Sequence, residues 1–176
     1  MKNRILAVFC VLLLLGGCKK KKEGIEALPE ATQVGKNTFG CLVNGEVYVP
    51  KSSGFESPDG ISYQFSNGKF FFVLSNKRDV GNIRESFLIR SNDIELEEKT
   101  YMLMRYNYDR SFSVKYSFST GNESDDYETS PSLKGELRIT KLDQVKRIIA
   151  GTFSFDAENK NGQKVEIREG RFDSTY

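Results

Sequence analysis

Through most of the chain, apolar and polar residues alternate in short runs that are separated by glycine, proline and asparagine. The segment FSVKYSF at 112–118 is a clear example, because every second residue is apolar. A period of two places successive side chains on opposite faces, so such runs predict half-buried β-strands. The continuous run FFFVL at 70–74 is instead typical of a strand covered on both faces. With no convincing helix after residue 17, the pattern predicts an all-β protein.

Asparagine-glycine pairs at 44–45 and 67–68 predict two tight hairpins, because this dipeptide favours the two-residue type I′ turn. A two-residue turn at 44–45 pairs Val43 with Glu46 and Cys41 with Tyr48. Phe39 then shares one face with Cys41 and Val43, so we expect Cys41 to be a buried, structural thiol. The polar stretches at 76–82 and 120–126 are expected to interrupt the strands.

The last thirty residues predict three antiparallel strands, with turns at 161–162 and at Gly170. Their apolar positions, expected to form the last layer of the core, are Ile149, Gly151, Phe153, Phe155, Val165, Ile167 and Phe172. In total, about ten short strands are expected over residues 37–176. They predict a single antiparallel β-sandwich or a flattened β-barrel.

Residues 1–17 have the layout of a secretory signal peptide, with Lys2 and Arg4 before an eleven-residue apolar core. That core is too short to span a bilayer, which takes about 20 apolar residues. The ending Leu15-Gly16-Gly17-Cys18 resembles the bacterial lipobox, which implies lipidation of Cys18 and loss of the residues before it. An ordinary signal peptide that leaves Cys18 free is the alternative. Residues 18–36 lack aromatics and any apolar period and are interpreted as a lipidated, flexible spacer.

Composition removes several classes of function. The formal net charge is only +2, and it falls to zero without Lys2 and Arg4, so no nucleic-acid partner is expected. The chain has no histidine, which excludes Ser-His-Asp triads and histidine-ligated zinc within this chain. Of its three cysteines, Cys10 leaves with the signal and Cys18 is acylated. Cys41 then has no disulfide partner, and we expect neither a metal nor a cofactor.

The segment RYNYDR at 105–110 is the sharpest candidate for a ligand surface. Tyrosine faces flanked by hydrogen-bond donors suit sugar rings or peptides, and the segment offers Arg105, Tyr106, Tyr108 and Arg110. The alternative is a strand end whose tyrosines cap the core.

Two groups of acidic residues are candidate chemical sites. A carboxylate-based, glycosidase-like hydrolase needs two acids about 5 to 9.5 Å apart. Asp156, Glu158 and Asp173 are candidates, but strand alternation predicts that they lie on the solvent face. The acidic stretch 123–126 would offer oxygens to calcium, although it lacks the spacing of a known calcium loop and reads more simply as a solvated turn.

Three segments carry a family resemblance: NTFGCLVNGEVYVP at 37–50, GTFSF at 151–155 and GRFD at 170–173. Together with the lipobox, they resemble small Bacteroidetes lipoproteins grouped only as a domain of unknown function. The resemblance implies an uncharacterised, β-rich envelope lipoprotein and supplies no catalytic residue.

The function expected from the sequence is a non-enzymatic binding or structural module, lipid-anchored in the cell envelope, most simply in the outer membrane. Its expected partners are the membrane and a glycan or an envelope protein. The alternatives are the carboxylate hydrolase and a lipocalin-like carrier, which would need a hollow apolar interior.

Overall fold

The computed structural model describes residues 23–50, 60–104, 111–130 and 132–176. These ranges contain one short 3₁₀ helix, Gly24–Ala27, and otherwise only strands, so the all-β prediction is confirmed. None of the helical structure in these ranges is long and apolar enough to cross a bilayer. The eleven strands are β1 (Thr38–Val43), β2 (Glu46–Tyr48), β3 (Gly60–Ser66), β4 (Lys69–Val80), β5 (Ile83–Asn92), β6 (Thr100–Met104), β7 (Phe112–Ser119), β8 (Ser124–Glu128), β9 (Gly135–Asp143), β10 (Ile148–Glu158) and β11 (Lys164–Thr175).

The strands form one sheet in the order β2-β1-β11-β10-β9-β6-β7-β5-β4-β3, with β8 pairing alongside β7 and touching β10. All pairs are antiparallel except β6 with β7, where Leu103 and Met104 run parallel to Phe112 and Ser113. The sheet is therefore mixed, which corrects the wholly antiparallel prediction in this one place. The alternation of apolar residues within a five-residue strand does not show which strand it will pair with or in which direction that neighbour runs.

The sheet folds over so that its two halves pack face to face, as a sandwich or flattened barrel requires. Phe87 of β5 lies at the centre, with ring centroids 5.7 Å from Phe39, 4.8 Å from Tyr48 and 6.3 Å from Phe153. These rings belong to opposite halves of the sheet, and all four residues are buried. Packed aromatic side chains thus fill the centre of the fold, which argues against the lipocalin-like carrier.

The two predicted Asn-Gly hairpins are confirmed. Asn44 and Gly45 have φ of 49° and 84°, as a type I′ turn requires, and Cys41 pairs with Tyr48. Cys41 is fully buried, and burial raises the pKa of its thiol, a shift that the nearby Arg78 only partly opposes. Cys41 is therefore a core residue, as predicted.

The carboxy-terminal segment contains two strands rather than the predicted three. Gly170 lies inside β11 and not in a turn, because Glu169 adopts φ of 55° and the extra residue is absorbed as a β-bulge. The glycine is required by space, since a Cβ at Gly170 would lie 2.5 Å from the Phe153 ring. The expected break at 76–82 is likewise a strand through Val80, because β4 pairs with β5 as far as Val80↔Ile83.

The predicted spacer is the largest difference from the sequence-based organisation. Residues 28–36, here called the strap, lie against the outer face of β1 and β11. Leu28 is buried, and Pro29 lies so close to Gly40 that a Cβ there would approach its ring to 2.7 Å. From residue 23 onward the predicted flexible spacer is thus packed on the domain, whereas residues 18–22 lie outside the described ranges.

Candidate functional site

Asp173 holds the strap in place. Its carboxylate accepts hydrogen bonds from the Thr32 hydroxyl (2.5 Å) and from three backbone N–H groups, those of Val34 (3.1 Å), Gly35 (2.7 Å) and Lys36 (3.2 Å). Burial alone would raise the pKa of Asp173, but these four bonds together hold it below its usual value. We therefore assign this carboxylate a structural role.

This arrangement corrects the expectation that Asp173 faces solvent, because the residue is fully buried. Alternation does place Asp173 on the outer face of β11, opposite the inward Phe172. The strap then covers that face, and Gly35 packs against the side chains of Ile148 and Thr175.

The other two candidate acids are also engaged in the sheet. Asp156 lies 2.6 Å from the guanidinium of Arg168, which also donates to the carbonyls of Phe155 and Ile167 beside the bulge. This contact ties Asp156 to the irregular part of β11. Glu158 ends β10 and lies directly opposite Glu128, the last residue of β8.

A shallow groove lies on the outer face of β5, β7 and β8. It has a volume of about 290 Å³, at the lower end of the roughly 300–1,000 Å³ of ligand pockets. We call it the outer groove; its lining residues are Leu88, Arg90, Ser113, Val114, Lys115 and Glu128. The pocket therefore has room for one ring-sized group rather than a large cofactor.

The chemistry of the outer groove combines donors, acceptors and an apolar surface. Leu88 lies directly opposite Lys115, and Arg90 lies opposite Ser113. Lys115 also forms an ion pair with Asp126 (3.2 Å). A ligand in this groove would meet a cationic, a carboxylate and a hydroxyl side chain around a half-buried leucine, a combination that suits a ligand rich in hydroxyl groups.

A row of four charged residues, two glutamates between two lysines, runs along one side of the outer groove. Lys164, Glu158, Glu128 and Lys115 are consecutive cross-strand partners on β11, β10, β8 and β7. Two glutamates placed directly opposite each other repel, whereas each also has a lysine as its other neighbour. This row brings two carboxylates together, and one of them, Glu128, was not among the predicted candidates.

The acidic stretch 123–126, expected to be a solvated turn and considered also for calcium, is mostly part of a strand. Ser124–Glu128 is strand β8, so Asp125 and Asp126 point to opposite faces. Asp126 accepts hydrogen bonds from Ser117 (2.6 Å) and Lys115, which hold its pKa below the usual value despite partial burial. Within the described residues, no group of three or more acidic or cysteine side chains is arranged to hold a metal.

A buried polar cluster lies at the other side of the core. Glu85 accepts bonds from the Arg78 guanidinium, with Nε at 2.8 Å, and from the Tyr116 hydroxyl at 2.8 Å. Burial, followed by this hydrogen bond to Glu85, raises the pKa of Tyr116. The guanidinium of Arg78 also lies 4.5 Å from the centre of the Tyr48 ring and donates to the Val47 carbonyl. The cluster connects β2 to β4, β5 and β7.

The two sites predicted with residue numbers lie outside the described residues. Cys18 precedes residue 23, and Arg105, Tyr106, Tyr108 and Arg110 fall between β6 and β7. The ends of those strands are described: Met104, the last residue of β6, pairs with Ser113 of the outer groove. Met104, the last described residue before this segment, therefore lies beside the groove.

Sequence reasoning missed Leu88, Lys115 and Glu128, although the signal for two of them was present. Lys115 is the one charged residue in the alternating run 112–118, and Glu128 follows Tyr127 in a polar stretch. What places them together is the pairing of β7 with both β5 and β8.

Comparison with known proteins gives a family without an assigned activity. No curated protein and no solved structure matches the chain significantly. One family model, described as Domain of unknown function (DUF6252), matches residues 84–175. That range runs from β5 into β11 and includes the whole lining of the outer groove as well as Asp173. Because the match covers more than half of the chain, this protein belongs to the DUF6252 family.

Proposed function

We propose that this protein is a lipid-anchored component of the bacterial cell envelope, held in the outer membrane by an acylated Cys18. The proposal rests on the apolar run that ends in Leu15-Gly16-Gly17-Cys18. Cys18→Ser should abolish acylation and release the protein from membranes, because a single amino-terminal apolar run of this length does not span the bilayer. Palmitate labelling and membrane fractionation test this. Retention of the variant on membranes after a high-salt wash would contradict it.

The domain itself is proposed to be a non-catalytic module that binds a glycan of the envelope in the outer groove. The observation that carries this proposal is the groove's mixed lining on paired strands, with Leu88 opposite Lys115 and Glu128 on the other side of that lysine. Sugar rings present an apolar face and a rim of hydroxyl groups, which this combination matches. The strands position these side chains without any rearrangement of a loop.

Binding of envelope polysaccharides to the full-length protein, measured on a glycan array and by calorimetry, tests the glycan proposal. Leu88→Lys should fill the groove and abolish binding, while Gln64→Lys on the outer face of β3 serves as the control. Equal binding by both variants would overturn the proposal. Capture of an envelope protein through the groove, without glycan binding, would also overturn it.

The same experiment separates binding from hydrolysis. Among the described residues, the opposed pair Glu128 and Glu158 favours the hydrolase alternative, because it brings two carboxylates close together. If the bound glycan is cleaved, and Glu128→Gln and Glu158→Gln both stop cleavage, the module is an enzyme. Under our proposal the glycan is recovered intact.

A further inference from the structure

The two edge strands of the sheet, β2 and β3, differ in how far they are protected from pairing with another strand. The edge strand β2 is only three residues long and is soon followed by Pro50. Arg78 donates to the outward carbonyl of Val47 at 2.8 Å. Short length, proline and a charged cover are the usual means by which proteins block edge pairing. The edge at β2 is therefore protected.

The opposite edge strand, β3, has none of these devices among its own residues, although Pro58 and Asp59 come directly before it in the sequence. Its seven residues, GISYQFS, include neither a charge nor a proline. It pairs with β4 along its full length, from Gly60↔Ser75 to Ser66↔Lys69, with no bulge. Phe65 leaves 63% of its surface exposed, although its ring packs against Phe70 with centroids 4.7 Å apart. An uncharged, regular edge of this kind is a template for another strand.

The hairpin turn determines which backbone groups point outward. In a two-residue turn, the flanking residues Ser66 and Lys69 form a hydrogen-bonded pair, so alternate residues of β3 bond to β4. The N–H and C=O groups of Ile61, Tyr63 and Phe65 then point to the free edge. Within the described residues, no strand other than β4 pairs with β3.

We propose that β3 pairs antiparallel with β3 of a second copy of this chain, about a twofold axis at Tyr63. In this register, Tyr63 faces Tyr63 of the second copy and Ile61 faces Phe65 of the second copy. The three residues whose backbone groups point to the free edge, Ile61, Tyr63 and Phe65, then form hydrogen-bonded pairs with the second copy. Strands of this sequence are self-complementary, as an isologous interface requires.

Side chains and charge favour the same pairing. The inward face gains two contacts between Ile61 and Phe65, which cover the exposed ring. On the solvent-facing side of the sheet, Ser62 of one copy lies opposite Gln64 of the other, and both are neutral polar residues. Since β3 has no charged residue, the approach of two copies neither buries a charge nor opposes like charges along this strand. This inference is independent of the lipid anchor and of the outer groove.

Disulfide trapping tests the pairing and its register. Ser62 and Gln64 of opposite copies form a non-hydrogen-bonded pair, whose Cα atoms approach to about 4.5 Å, close enough for a disulfide. The full-length Ser62→Cys and Gln64→Cys variants are purified in detergent and oxidised with oxidised glutathione, separately and mixed. The mixture should give a covalent dimer, and each variant alone should behave like the parent. Equal dimer yields from the mixture and from either variant alone would overturn the proposal.

A second variant tests the contribution of the edge without relying on cross-linking geometry. Phe65→Lys adds a charge to the exposed edge and should remove the covalent dimer when combined with both cysteine variants. Val80→Lys is the matched control, because Val80 is also an exposed apolar residue, at the far end of β4. Loss of the dimer with both lysine variants, or with neither, would contradict pairing through β3.

Discussion

Cys41 illustrates how completely the interior of this domain excludes water. Its thiol is fully buried, and burial raises its pKa far above the ordinary value of 9.0. A thiol in this state is a poor nucleophile, because the thiolate is the reactive form. The residue therefore acts through packing rather than through chemistry.

Cys41→Ser should lower the free energy of unfolding by about 1–3 kcal/mol, because a buried hydroxyl needs a partner that the thiol does not. The raised pKa also predicts alkaline sensitivity. Above about pH 9 the unfolded chain releases this proton while the folded protein keeps it, so stability falls as pH rises. Denaturant unfolding between pH 7 and 10 measures both effects. Rapid reaction of the native Cys41 with a thiol reagent would contradict the burial.

Gly170 is a position where a single methyl group should be costly. A Cβ would lie 2.5 Å from both the ring and the backbone oxygen of Phe153. Gly170→Ala should therefore destabilise the protein by about 1–3 kcal/mol through overpacking. Gly121→Ala, at an exposed turn where a Cβ meets nothing within 4 Å, is the control. Thermal unfolding of both variants decides whether the bulge tolerates a side chain.

At the scale of elements, the strap depends on a single carboxylate. Asp173→Asn replaces an acceptor of four hydrogen bonds by a neutral amide and should cost about 1–3 kcal/mol. The lowered pKa gives the sign of the pH effect: this stabilisation is present above pH 3.8 and is lost as pH falls below it. Hydrogen exchange of the amides of residues 34–36 should accelerate in the variant.

The control for the strap is Asp143→Asn. Asp143 also accepts two backbone N–H bonds, from Val145 and Lys146, but within its own exposed turn. That variant should leave exchange in the strap unchanged. Unchanged exchange at 34–36 in Asp173→Asn would show that the strap is held by other contacts.

The last two strands, β10 and β11, should be indispensable to the core. Phe153 packs on Phe39 with ring centroids 5.4 Å apart, so Phe153→Ala should cost about 3–5 kcal/mol. Deleting residues 171–176 removes the partners of Thr38, Phe39 and Gly40 and should cause aggregation. Asp156→Ala should change stability by at most about 1 kcal/mol, because its ion pair with Arg168 is partly exposed. Melting of the truncated protein at the parental temperature would contradict this assignment.

The hairpins were predictable because their determinants are local. Asn-Gly at 44–45 specifies a turn, and the turn specifies that Cys41 meets Tyr48. The bulge was not predictable, since Gly170 has the sequence signature of a turn and only the space beside Phe153 explains it. The strap and the outer groove could not be predicted from the sequence, for a different reason. Their contacts join residues far apart in sequence, such as Thr32 with Asp173 and Leu88 with Lys115, and local alternation carries no such information.

At the scale of the whole molecule, the docked strap shortens the proposed connection to the membrane. From Cys18 to Glu23 the chain has five residue steps, which span at most about 18 Å. The 3₁₀ helix that follows lies beside β2, so this side of the domain should stay close to the lipid headgroups. With the strap released, the free segment would extend to Lys36.

Energy transfer from a dye on Glu46→Cys, the exposed first residue of β2, to a labelled lipid measures this distance. Transfer should be efficient in the parent background and should fall when Asp173→Asn is added. Asp143→Asn should leave it unchanged. Equal transfer in all three proteins would show that the strap does not set the distance to the bilayer.

The contact between the strap and Asp173 also bears on the order of folding. Its hydrogen bonds join residues 137 to 141 positions apart, and the acceptor belongs to β11, the last strand of the sheet. Closing a loop of this length costs more conformational entropy than forming a local contact, so we expect these bonds to form late. Docking of the strap is therefore a late event, and it requires β11 to be seated between β1 and β10. Until the sheet is complete, the connection to the membrane would include all residues up to Lys36. Docking of the strap would shorten this connection, and it would mark the end of folding.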